Sequence, residues 1–162
     1  TGLLPQQSWK LEEWCDAVRA ASRSEARVFT IIHLFAGERR EDDIEECLLK
    51  RAATDGLTLM VLSVDLANDP EWDLTSPSTF DKLRELVVEG LIDAVLGGPP
   101  CSTWSRLRFR PGGPRPLRFR EAPWGRVDVS PAEAARLVEA NVLMLNALGL
   151  MEACVMRGGL QL

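Results

Sequence analysis

Three continuous apolar runs constrain this chain more than any other feature. They are "RVFTIIHLFAG", closed by Gly37, "LTLMVLSVDL", reaching Asp65, and "LIDAVLGG", closed by Gly98. Each is rich in β-branched and aliphatic residues and lacks the polar alternation of a strand with one wet face, so each is expected to be a strand buried on both faces. The segments between them carry helical periodicity. "ERREDDIEECLLKRAATDG" predicts an amphipathic helix with Ile44, Cys47, Leu48 and Ala52 inward and Gly56 as its stop. "NDPEWDLTSPSTFDKLRELVVEG" predicts a loop and then a helix from Ser76 or Ser78.

The flanks follow the same logic. Residues 8–24 place Trp9, Leu11, Trp14, Cys15 and Val18 on one helical face behind a Ser8 cap. A long helix is expected from Ser130, with Pro131 in its first turn and Glu133 completing a capping box. The closing "GGLQL" begins a fourth strand. Strand–helix alternation of this kind predicts an α/β fold with an open parallel sheet. Residues 1–26 are expected to form an N-terminal helical extension. Residues 27–162 form the α/β unit, interrupted by an Arg/Pro/Gly-rich loop at 98–127. The chain starts at Thr1 and stops at Leu162 just as an apolar segment opens, so both ends read as cut from a longer protein.

Composition narrows the partners. The net charge is −5, yet from Arg106 to Arg126 seven arginines face the single acid Glu121, which puts that stretch at +6 and the remainder at −11. An acidic body with one basic loop points to a local anionic partner. Four separated cysteines and a single histidine, His33, argue against zinc and against a disulfide scaffold. A reducing, intracellular compartment is expected. No uncharged apolar stretch approaches membrane-span length, and the N-terminus lacks the pattern of a secretory signal.

In open parallel sheets, ligands bind at the carboxyl ends of the strands. The unusual residues of this chain gather there: "FAG" after the first run, Asp65 after the second, "GGPPCSTWS" after the third. Pro99 and Pro100 fix two φ angles and donate no hydrogen bonds, so Cys101 sits in a loop with few alternative conformations. A thiol reacts as its thiolate, and nearby arginines are expected to stabilise that anion. Cys15, Cys47 and Cys154 fall at helical apolar positions and are expected to be structural. The loop also repeats itself, Leu107-Arg-Phe-Arg and Leu117-Arg-Phe-Arg around "PGGPRP". In extended form each copy would put Leu and Phe on one side and two arginines on the other, a ribbon suited to phosphates and bases.

Taken together these motifs resemble the DNA cytosine-5 methyltransferases, over about Val28 to Gln161. The "HLFAG" turn, the acid of "SVDL", the acid of "WDLT" and above all "GGPPCSTWS" are similar to the family's signatures. The resemblance implies a Rossmann-like S-adenosylmethionine-dependent fold, here represented by its N-terminal part. It implies cofactor contacts from Phe35, Ala36, Gly37, Asp65, Leu66, Asp73, Leu74 and Pro99, with Cys101 as the nucleophile toward cytosine. Ser105, Arg106, Arg108, Arg110, Arg118 and Arg120 would meet DNA, or RNA, and no metal is called for. Intracellular localisation would mean the nucleus in a eukaryote. The chain departs from the family where Glu38, Arg39 and Arg40 follow Gly37 and where His33 replaces an acid. The family's catalytic glutamate would fall beyond Leu162. "EANV", from Glu139, lies inside the long helix and does not take that role, so methyl transfer by this segment alone is expected to be poor or absent. Two alternatives stand beside this reading. One is a degenerate, non-catalytic nucleic-acid-binding module; the other is a thiol enzyme using Cys101, for which His33 in a buried strand is the only candidate base.

Overall fold

The computed structural model describes residues 9–161. Ser8, the expected cap of the first helix, lies outside the described residues. The elements run α1 (Leu11–Ala21), β1 (Val28–Leu34), α2 (Ile44–Thr54), β2 (Thr58–Val64), α3 (Pro77–Val88), β3 (Ala94–Gly97), α4 (Pro131–Met156) and β4 (Leu160–Gln161). The four strands form one parallel sheet in the order β2-β1-β3-β4, to which β4 contributes two residues. The expected α/β class and open parallel sheet are therefore present.

Side-chain alternation separates the two faces of the sheet. Ile32, Leu34, Leu62, Val64 and Val95 point into a core shared with Leu83, Leu86 and Val87 of α3 and Ala147, Leu150 and Cys154 of α4. Leu11, Trp14, Cys15 and Val18 of α1 join that same core, so the N-terminal helix is built into the unit it precedes. Lys10 ties it down further through its Nζ on Asp69 at 2.6 Å.

The opposite face carries α2. Ser63 lies between the inward residues Leu62 and Val64, and its hydroxyl donates to Glu45 of α2 at 2.6 Å. Here the expected helix face needs correction. Ile44 and Cys47 are exposed, whereas Glu45 and Ala52 are buried, with Leu48 half-buried. The stripe is displaced because a polar network anchors it: Glu45 is bonded to the Arg39 guanidinium as well as to Ser63, and Arg39 also pairs with Asp43 at 3.1 Å. A buried carboxylate with a guanidinium and a hydroxyl partner is satisfied, and it sets the rotation of the helix.

The expected α4 cap is present: Ser130 and Glu133 form a reciprocal capping box with Pro131 in the first turn. Among the described residues, α4 is the one helix whose length and hydropathy would suffice to cross a membrane. It packs along one side on β3, β4 and α3.

Candidate functional site

The strand order places β1 between β2 and β3, so the crevice beyond its carboxyl end is the point where the chain's winding reverses. Leu34 pairs with Val64 on one side and with Gly97 on the other, which brings all three strand ends to one rim. The chain leaves β1 through Phe35 in the left-handed region, φ +59°, its N–H donating to Val64 O at 2.8 Å. For a bulky residue this is a costly conformation, and it is held by the neighbouring strand.

A cavity of about 160 Å³ opens at this rim, lined by Phe35, Asp65, Leu66, Asp73 and Leu74 among others. These five are among the eight residues expected from sequence to meet a cofactor. Ala36, Gly37 and Pro99 do not line it; Pro100 does, immediately before Cys101. Val64, Trp72, Thr75, Glu139 and Leu143 complete the wall without having been expected there. Glu139 and Leu143 stand one helical turn apart on α4, a spacing visible in sequence but uninformative until α4 is seen to lie over the rim.

Hydrogen bonds hold the walls. Asp65 accepts from the Gly37 N–H through Oδ2 and from the Ala67 N–H through Oδ1, both at 2.9 Å. It thus clamps the β1 turn to the β2 turn, and each oxygen keeps a lone pair for a further donor. Asp73 uses Oδ1 for the Thr75 N–H and hydroxyl, at 2.8 and 2.6 Å. Asn146 of α4 donates to Leu74 O at 2.8 Å and pins this loop to the helix. Among the described residues, three carboxylates and no basic side chain line the cavity.

Cys101 is exposed and begins a turn in which the Trp104 N–H donates to its carbonyl at 2.9 Å. Among the described residues no side chain hydrogen-bonds its sulfur. The arginines expected to stabilise it are engaged elsewhere: Arg108 donates to the carbonyls of Ser102 and Arg115, and Arg118 donates to Thr103 Oγ1.

Arg118 is the clearest correction among the expected nucleic-acid residues. Only 6% exposed, it donates to Pro123 O at 2.9 Å and Asn141 Oδ1 at 2.8 Å, and its guanidinium lies 3.5 Å from the Trp104 ring centroid. Burial pulls its pKa below the ordinary arginine value. It is the internal brace of the loop and is not presented to phosphate. Arg115 and Arg126 both pair with Asp128, whose carboxyl is held down at about 2 chiefly by the hydrogen bond from Arg126.

The expected ribbon does not form either. Arg106–Phe109 is a short 3-10 turn whose Leu107 N–H is capped by Ser105 Oγ at 3.2 Å, and in the second copy Leu117 and Arg118 are both buried. The two copies meet through their rings instead, Phe109 and Phe119 packing edge-on at 5.8 Å. What remains outward is Arg106, Arg110 and Arg120. Ser105, Arg106, Leu107, Phe109 and Arg110 line a second, open concavity of about 730 Å³. Among the described residues no group of His, Cys, Asp or Glu could hold a metal ion. No protein-family model matches the chain, and no curated protein or solved structure matches it significantly.

Proposed function

We propose that the chain is the cofactor-binding part of a methyltransferase-like domain of the cytosine-5 type, acting on nucleic acid and dependent on S-adenosylmethionine. One observation carries this reading: residues singled out at three successive strand ends converge on one cavity at the winding reversal, with Cys101 one residue from its wall. The donor set suits the adenosine portion of the cofactor. Phe35, Leu66, Trp72 and Leu74 offer apolar walls for a planar base, and Asp65 retains acceptor capacity for ribose hydroxyls. When bound, the cofactor supplies an electrophilic methyl group carried on a positively charged sulfur. In this reading Cys101, held behind two prolines and exposed, would add to C6 of a cytosine taken out of its stack, opening the C5=C6 double bond; C5 would take the methyl group, and loss of its proton would expel the thiolate. An intracellular setting, nuclear in a eukaryote, belongs to the same reading.

Two facts favour the second reading, a module that keeps the sheet and loop without the chemistry. The cavity is smaller than the roughly 300–1,000 Å³ typical of ligand sites, and both Asp65 oxygens already accept backbone N–H groups. Calorimetric titration with S-adenosylmethionine decides between them. The methyltransferase reading expects saturable binding that is weakened in Leu66→Arg, a change at an exposed side chain on the cavity edge, together with a Cys101-dependent adduct of the full-length protein on DNA carrying 5-fluorocytosine. Absence of both the heat and the adduct removes it.

A further inference from the structure

We infer that the 98–127 loop is a docking surface for single-stranded nucleic acid, reading unstacked bases with its rings and the backbone with three arginines. This rests on the nucleic-acid part of the proposed function and not on methyl transfer. Four of the seven loop arginines serve the loop itself: Arg108 and Arg118 hold its backbone and polar groups, and Arg115 and Arg126 share Asp128. Arg106, Arg110 and Arg120 are exposed and make no ion pair among the described residues. Three outward guanidiniums suffice for a short run of phosphates on an otherwise acidic molecule.

The rings say which kind of strand. Phe109 is 56% exposed and Trp124 52%, with Leu107 beside Phe109 equally open. Each ring is propped from behind by another: Phe109 edge-on to Phe119, and Trp124 edge-on to Trp104 at 6.1 Å. Arg126 and Arg118 lie over Phe119 and Trp104 in turn, so each supporting ring packs against a guanidinium as well as against the exposed ring. A duplex offers phosphates but hides the faces of its bases, leaving such rings against charge and water. A single strand offers both, and flat aromatic platforms among guanidiniums are how proteins hold it.

The test is fluorescence anisotropy with an oligothymidylate of about 15 nucleotides, within the range one such platform covers, against a duplex of equal length and against vesicles of phosphatidylserine and phosphatidylcholine. The single strand is expected to bind at least about tenfold tighter than the duplex. Phe109→Ala should weaken it about tenfold, Phe109→Leu should do the same, and Phe109→Trp should retain binding. The log–log salt slope should be near −2 for three phosphate contacts, shallower by about 0.7 in Arg106→Ala. Urea unfolding of each variant confirms that it is folded, and the surface change Arg106→Ala keeps the test open if Phe109→Ala is not. Equal or tighter binding of duplex, wild-type behaviour of Phe109→Leu, or binding to vesicles alone overturns the inference. Oligonucleotide binding with neither cofactor binding nor a fluorocytosine adduct supports it while removing the methyltransferase reading.

Discussion

Gly97 shows how closely β3 is seated against the turn out of β1. A Cβ at this position would lie 2.5 Å from the Leu34 carbonyl oxygen and 2.9 Å from its Cβ, contacts that backbone cannot yield cheaply. Gly97→Ala is expected to cost about 1–3 kcal/mol, the usual range for overpacking, as a lower urea midpoint with an unchanged slope. Phe35 and Arg118 store their demands at the same end of the molecule. Phe35 holds a left-handed backbone because two N–H groups, its own and that of Ala36, converge on Val64 O. Arg118 buries a charge with no carboxylate partner among the described residues, and carbonyls, a hydroxyl and an indole face take the place of one. Both residues were visible in sequence as candidates; the left-handed turn and the inward guanidinium were not, because each depends on a neighbour far away in the chain.

At the scale of elements, β1 carries a pH dependence into the centre of the sheet. His33 is 7% exposed, its Nδ1 has no partner among the described residues, and burial pulls its pKa below 6.5, reinforced by Arg39 and opposed by Asp43 and Asp65. The unfolded chain therefore binds the proton more readily than the folded one. Stability is fully present above about pH 6.5 and declines as pH falls toward the lower folded value. Urea midpoints measured at about pH 8 and about pH 5.5 should drop more for the wild type than for His33→Gln; equal drops would mean that His33 is not the titrating group. The helices teach a related lesson. Capping made the start of α4 readable, since Ser130, Pro131 and Glu133 act within one turn. The inward face of α2 was not readable, since periodicity among apolar residues gave no weight to Glu45, which Arg39 and Ser63 draw inside.

For the whole molecule, the central position of β1 sets a hierarchy of stability. Its backbone pairs with β2 and β3 at once, and Ile32 and Leu34 are fully buried, whereas the 98–127 loop is largely exposed and rests on side-chain braces. Amide hydrogen exchange should therefore be slowest in β1 and fastest in residues 105–115, the loop opening below the global unfolding energy. Uniform protection across sheet and loop would contradict this. Charge follows the same division, with basic residues concentrated in the part expected to open most easily and acidic residues spread over the packed body.

The sequence by itself determined the strands, their parallel arrangement, most helix boundaries and the identity of the residues at the rim. Those features arise from local chemistry: uninterrupted apolar runs, caps, and glycines or acids where strands end. Only the tertiary structure decided which rim residues share a cavity, that Glu139 and Leu143 of α4 close it, and which arginines look outward. A guanidinium has the same sequence signature whether it meets a phosphate or a buried carbonyl. The choice is made by the partners that folding brings within reach, and for Arg118 those partners lie up to 23 positions away, at Asn141.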